Sequence, residues 1–573
     1  MPIFNHRIFK ERDNDIFLIL GLLILGITLS VIYWGHKPVP NSDFEVFVNT
    51  GHKLLAFQPL SDFKRAPGFG LLVASLSHLT GGTHPDLTAG WVLNSILYPV
   101  ISVFLFLVAR PLIGRSAFFF AVIASLNPYC LFMLTDPIVE TTLLCLILVS
   151  FHCLFKQSTG SYGPALMATL IRYDGAVLIV LSFFQDFFKA KDFQARIKKI
   201  VIATLIFLPI LIWMIFMLMD WKNAGPTNYL SQVLKNKDYW VILGRFMEKI
   251  WSVGFATLIC VTKTIDGTAF IVSPHVAKVF YFCGLGAAVL WGILRKKRIV
   301  YTLIFFLIGY LGIHILHGFA LDRSICPIAW ALLLLCWFAF SETITFIVEK
   351  IKFSKTMLII SGGVSILGAL IWAGMLLPHM LRYTENISNA SLFVPFIACG
   401  IVVLGCGNIV TRTGGLRQKT HCLIAAAITI LFIVSNQFWI STIMNDGARD
   451  REFILLADWY LENAKPGETM VTTLPNVVGT FAPAAKKNFI SMSTIQKGSE
   501  KNFVNDLLKK KISYIAWDSR IGFAFKSDTY YNAWGMRYIT RLKKPKSHGH
   551  YKFIQRLEYG NKFINIFQIE ENL

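Results

Sequence analysis

Apolar runs of about 20 residues recur along almost the whole of the first 444 residues, separated by short connectors that carry Lys and Arg. Such a pattern leaves a bundle of membrane-spanning helices as the solution, because in lipid each backbone N–H and C=O must be satisfied within its own segment. Of 573 residues, 55% are hydrophobic and only 15% charged, and the mean hydropathy is +0.57. A soluble protein of this size requires far more polar surface. The formal net charge of +22 does not point to nucleic acid, since the basic residues cluster between apolar runs and in the tail. Clusters of that kind set topology on the cytoplasmic side and meet anionic headgroups. The ten cysteines lie in or beside apolar segments, none follows Cys422, and no CxxC spacing occurs. They read as small buried hydrophobes.

Sidedness follows from charge. His6, Arg7, Lys10, Glu11 and Arg12 stay inside and Ile16 to Tyr33 reads as an uncleaved first span. An outer loop over 35–90 follows. Trp91 to Val108 returns to a cytoplasmic turn, Ala109 to Arg115, and Phe118 to Leu134 goes out to Asp136-Pro137. Ile138 to Phe155 comes back. Downstream, Ile200 to Met219, Lys278 to Leu294, Ile299 to Leu316, Ile325 to Val348, Met357 to Leu377, Leu392 to Val410 and Cys422 to Ile440 complete the map. A second outer loop spans 220–276, with Trp251 to Val261 interfacial.

The stretch Gly163 to Phe188 decides the count. A single crossing puts the basic run Lys189 to Lys199 outside, whereas an outer apex at Arg172-Tyr173-Asp174-Gly175 between two short arms keeps it inside. Arms of about 12 residues reach only about 18 Å into a core of about 30 Å, so the apex and its charges lie at depth. The total is about 13 hydrophobic segments.

From Asn445 the composition changes. Helical spacing over Phe453 to Asn463 and Asn502 to Lys510, a strand at Thr469 to Thr473, alternation over Ile512 to Trp517, and two strands flanking Tyr559-Gly560-Asn561 predict a small α/β domain on the outer face. No phosphate-binding glycine motif occurs there. The expected division is therefore 1–444, a membrane domain, and 445–573, a soluble α/β periplasmic domain.

Charged residues from separate parts of the chain fall on the outer side: Asp43 and Glu45, Lys64 and Arg65, Asp136 and Glu140, Arg172 and Asp174, Asp322 and Arg323. A carboxylate that accepts a proton beside cations that hold phosphate suits group transfer at the membrane surface. The order of an acidic residue after the first span, the basic-Pro motif Lys64-Arg65-Ala66-Pro67, Asp136-Pro137, the apex Leu170-Ile171-Arg172-Tyr173-Asp174-Gly175 and a late Arg323 resembles the GT-C glycosyltransferases. Within them it is similar to the branch of protein O-mannosyltransferases and the lipid A aminoarabinose transferase, over most of Ile16 to Val348.

The resemblance implies a GT-C fold and an inverting hexosyl- or pentosyltransferase that moves a sugar from a polyprenyl-phosphate donor to a lipid, glycan or protein acceptor at the outer face. By motif position it implies that Asp43 is the base on the acceptor hydroxyl, that Lys64 or Arg65 and Arg323 hold donor phosphate, and that Asp136 lies at the active-site rim. Glu45 stands beside Asp43 as an alternative base, since the two are spaced where many members have adjacent Asp-Glu. The pair also offers the ligands for a divalent cation, Mg or Mn, such as some members use. Lys-Arg-Ala-Pro replaces the common Lys-Pro-Pro, so Lys64 and Arg65 compete for one role. Arg172 and Asp174 are read as a structural or substrate-positioning pair. The expected setting is a bacterial inner membrane with a cytoplasmic N-terminus. The rival functions are a transporter or flippase of lipid-linked saccharide, which lacks support from any internal repeat, and a non-catalytic scaffold of envelope glycan assembly.

Overall fold

The computed structural model describes residues 15–60, 65–190, 192–224, 240–241, 243–244, 247, 261–264, 267–270, 274–316, 322–351, 393–413, 416–447, 450–495, 499–518, 537–559 and 562–570. They fall into two compact units. One comprises residues 1–36, 50–79 and 89–447, the other 37–49, 80–88 and 448–573.

The first unit is helical. Helix α1 (Ile16–Ile32) buries Leu18, Leu22, Leu25 and Leu29 at three- and four-residue spacing and turns Ile16, Leu20, Ile24 and Ile27 outward, the division expected of a helix between a bundle and lipid. The first loop is not irregular. It contains α2 (Phe44–Leu55) and α3 (Gly68–Thr80).

Helix α4 (Pro85–Ile113) extends through most of the stretch expected as a cytoplasmic turn, and the break comes only at Gly114, with φ +61°. The chain then reverses. Tyr98 Oη donates to the Ser125 carbonyl at 2.6 Å and Ser125 Oγ to Ser102 Oγ at 3.0 Å, setting α5 (Ala117–Ser125) antiparallel to α4. The expected span Phe118 to Leu134 is divided: Asn127-Pro128 ends α5 and starts α6 (Pro128–Thr135), with Asn127 Oδ1 accepting from the Tyr129 N–H at 3.0 Å. After Asp136-Pro137 the chain bends by 119° into α7 (Val139–Phe155).

The two short arms are present as α8 (Tyr162–Ile171) and α9 (Ala176–Lys189), joined by a single 3₁₀ turn at Tyr173–Gly175. Beyond them run α10 (Phe193–Ala224), α11 (Pro274–Leu294), α12 (Arg298–Leu316), α13 (Asp322–Ile351), α14 (Phe393–Arg412) and α15 (Leu416–Gly447). A short antiparallel pair, β1 (Val261–Thr264) and β2 (Gly267–Phe270), lies in the expected second outer loop. Among the described residues, Pro85–Ser125 (broken at Gly114), Phe193–Phe216, Ile325–Phe346 and Phe393–Arg412 are long and apolar enough to cross a membrane, and α6 with α7 makes a fifth if the bent pair is one span. The expected span Met357 to Leu377 and most of the interfacial stretch Trp251 to Val261 lie outside the described residues.

The second unit is the predicted α/β domain. Its sheet has the order β4 (Phe489–Ser491), β3 (Met470–Thr472), β5 (Tyr514–Asp518), β7 (Lys562–Ile569), β6 (Tyr551–Tyr559), parallel among the first three and antiparallel thereafter. Side chains alternate between two apolar layers. Met470, Ala516 and Ile566 pack with Phe453, Leu456 and Trp459 of α16 (Glu452–Asn463). Val471, Ile515, Trp517 and Phe567 pack with Phe503 and Leu507 of α17 (Glu500–Lys509). Val39 joins the first layer, so residues 37–49 are built into this unit's core. Gly560 and Asn561, the predicted turn between β6 and β7, lie outside the described residues.

Candidate active site

The helical unit holds a buried cluster of charges at the apex between α8 and α9. Arg172 caps α8 with an extended backbone, φ −158° and ψ 135°, which turns its side chain out of the helical path. Its Nη1 donates to Glu140 Oε1 at 3.2 Å and its Nε lies 3.3 Å from Asp174 Oδ2. Arg323, on the first turn of α13, brings its Nε to 3.9 Å from the same Glu140 oxygen. On the other side, His314 Nε2 is 2.9 Å from Asp174 Oδ2, and the Tyr310 ring lies against the imidazole with centroids 4.7 Å apart. Glu140 and Asp174 are almost wholly buried, at 2% and 3% exposure, while Arg172 and Arg323 keep 23% and 28%.

Local sequence explains why the apex is tight. A Cβ on Gly175 would sit 2.5 Å from the Ala168 carbonyl carbon, and one on Gly68 would sit 2.8 Å from the Leu170 oxygen. Only glycine at these two positions lets the end of α8 fold back on itself and lets the start of α3, which follows Arg65-Ala66-Pro67, abut it. Trp213 of α10 donates its Nε1 proton to Tyr173 Oη at 2.9 Å, tying down the third apex residue. Asp136 caps the C-terminus of α6 and does not start α7. It is fully buried, not at an open rim, and Asn94 Nδ2 donates to its carbonyl at 2.8 Å and to those of Met133 and Leu134 at 3.1 and 3.3 Å.

Of the residues singled out from sequence, Asp136, Arg172, Asp174 and Arg323 belong to this one unit, and the last three share a network through Glu140. Arg65 belongs to it as well, while Lys64 and the side chain of Asp322 lie outside the described residues. The sequence places Glu140 among the outer charges but assigns no role to it or to His314. The available signal for His314 was an ionisable residue inside an apolar run, which in a span is seldom idle.

Asp43 and Glu45 belong to the other unit, at the start of α2. Asp43 is half-buried, and its N–H donates to Asn41 Oδ1 at 3.0 Å. Glu45 forms an ion pair with Lys486. Burial pushes the Glu45 carboxyl up, against the pull of Lys486 in the other direction. Among the described residues no group of three or more His, Cys, Asp or Glu is disposed to hold a metal ion.

The raised Glu45 carboxyl makes a stability prediction. Folding raises its proton affinity, so ionised Glu45 opposes folding above the raised pKa and that opposition is relieved as pH falls through it. Thermal melts at pH 7.5 and pH 5 are expected to show wild type gaining on Glu45→Gln as pH falls. Equal pH slopes would contradict this.

No protein-family model matches the chain, and no curated protein matches it. Among solved structures it is similar to ArnT from Cupriavidus metallidurans bound to undecaprenyl phosphate, with a TM-score of 0.48 and 12% identity over 97% of this chain and 98% of that one. The apo state of the same protein aligns with a TM-score of 0.47 and 12% identity over 96% and 98%. The Archaeoglobus fulgidus oligosaccharyltransferase in complex with Zn and sulfate aligns with a TM-score of 0.35 and 10% identity over 94% and 79%.

Proposed function

We propose that the protein is a GT-C-type glycosyltransferase of a bacterial inner membrane, moving a sugar from a polyprenyl-phosphate donor to an acceptor hydroxyl at the outer face with inversion. The observation that supports it is the pair of guanidiniums, Arg172 and Arg323, converging on buried Glu140 within an apolar bundle. Ionisable groups are costly there and persist where they bind or move charge. A guanidinium fork matches phosphate geometry, and Glu140 holds both cations in place until an anionic ligand approaches.

In the proposed step the acceptor oxygen forms a bond to the anomeric carbon as the bond from that carbon to the phosphate oxygen breaks. The hydroxyl proton passes to the Asp43 carboxylate, and the electron pair leaves with polyprenyl phosphate. Cations near the leaving group lower the barrier by stabilising charge that develops as the bond breaks. Arg323 and one of Lys64 and Arg65 serve this role. Asp43 takes the role of base by its motif position, and Glu45, which pairs with Lys486, is the alternative. Asp174, held by Arg172 and His314, positions the apex, and Asp136 acts from a fully buried place in the turn before α7. With Glu45 so engaged, a divalent cation at Asp43 and Glu45 would have to displace Lys486.

Replacing Arg323 by Ala removes a charge-assisted contact to phosphate, a loss of about 1.5–3 kcal/mol, or roughly tenfold to a hundredfold in donor affinity. Arg172 remains to neutralise Glu140, so the fold is expected to persist. Titration of purified protein with polyprenyl-phosphate sugars measures this. Unchanged affinity would remove Arg323 from the donor site, and no saturable binding across the sugars would sink the transferase reading.

A further inference from the structure

A second feature of the helical unit lies at the far end of the same arms. A groove of about 790 Å³ runs along α9, α10 and α12, walled by Val177, Val180, Phe184, Phe207 and Phe305, and it ends at Lys189 and Arg298. Its walls are apolar and open outward: Val180, Phe184, Phe188 and Phe305 are between 47% and 75% exposed. At the basic end Asp186 is already paired with Lys199, at 2.9 Å. Among the described residues, neither Lys189 nor Arg298 forms an ion pair, and Lys189 donates only to the neutral Gln157 carbonyl, at 3.4 Å. Lys189 and Arg298 line the groove together, and burial first and then repulsion from Arg298 pull the Lys189 ammonium down against a weaker pull upward from Asp186.

We propose that this groove binds an anionic glycerophospholipid, with its phosphate on Lys189 and Arg298 and an acyl chain lying along α9. From Ala176 to Lys189 the helix rises about 20 Å, and one leaflet of hydrocarbon is about 15 Å deep, so an acyl chain anchored at the basic end reaches most of the way toward the apex. Charge placement selects this occupant over the polyprenyl donor. A donor whose phosphate meets Arg172 and Arg323 has its head at the opposite end of α9, and its tail alone offers nothing to two uncompensated cations. Uncompensated Lys and Arg beside an apolar wall are what attract lipids with anionic heads. The choice of phospholipid over donor rests on the transferase reading, which puts the donor phosphate at the apex.

The test uses the full-length protein in mild detergent, titrated with phosphatidylglycerol, phosphatidylcholine and undecaprenyl phosphate and read by native mass spectrometry. Wild type is expected to retain phosphatidylglycerol over phosphatidylcholine. Two cations near a headgroup each contribute about a factor of five, so the double variant Lys189→Gln, Arg298→Gln should bind phosphatidylglycerol about twenty-fivefold more weakly. Val180→Trp, which fills the groove more than two helical turns from Lys189, should weaken it as well. Undecaprenyl phosphate binding should be unchanged in the double variant. Wild-type affinity for phosphatidylglycerol in the double variant would overturn the proposal. A loss of undecaprenyl phosphate binding matching that of phosphatidylglycerol would also overturn it, and would assign the groove to the donor.

Discussion

Asp43→Asn is expected to lower turnover by about 10²–10⁴-fold, the contribution of a positioned general base, while donor affinity and thermal stability stay at wild-type levels. The amide keeps the shape of the carboxylate and the N–H bond from residue 43 to Asn41 at the start of α2, so the variant removes the negative charge and with it proton acceptance. Reading kcat and donor affinity separately makes the result specific. A base acts on the acceptor hydroxyl in the transition state, so its loss falls on kcat. A variant that instead binds donor poorly with kcat intact would make Asp43 a donor-binding residue and return the role of base to Glu45.

Arg172→Ala is expected to be the most destabilising single change at the apex. It leaves Glu140 and Asp174, both almost fully buried, without the guanidinium that lies 3.2 and 3.3 Å away. Breaking a buried pair by removing one partner costs about 3–5 kcal/mol. Arg323 at 3.9 Å and His314 at 2.9 Å compensate only in part. Lys in place of Arg restores the charge but not the fork that reaches both carboxylates, so Arg172→Lys should fall between wild type and Ala. The double change Arg172→Gln, Glu140→Gln neutralises the pair and should recover part of the stability lost in Arg172→Gln. Thermal melts in detergent read these four variants and the single Glu140→Gln, and losses of the two Gln singles that simply add in the double would show that the two residues do not interact.

Much of this apex could be read in the sequence because its determinants are local. Balancing the basic run Lys189 to Lys199 required a turn at Arg172 to Gly175, and the helices on either side end and begin there. Turn residues and alternation in the tail located Met470–Thr472, Tyr514–Asp518 and the final pair of strands for the same reason. Asn127-Pro128 was also a local signal, a capping residue before proline, yet it lay inside an apolar run that reads as one span. What stayed hidden is long-range. His314 meets Asp174 across 140 positions, and no spacing along the chain records that meeting. The placement of Val39 in a core with Phe453 and Leu456 is hidden for the same reason, and it moves residues 37–49 from the membrane unit to the tail unit.

The central claim is transfer from a polyprenyl-phosphate sugar. Its most direct test is the release of polyprenyl phosphate by purified wild type and Asp43→Asn, incubated with a panel of polyprenyl-phosphate sugars and a membrane extract as acceptor source. The account predicts release with at least one donor by wild type and release at least about a hundredfold slower by Asp43→Asn. Equal release by the two proteins, or none by wild type with any donor, would contradict it.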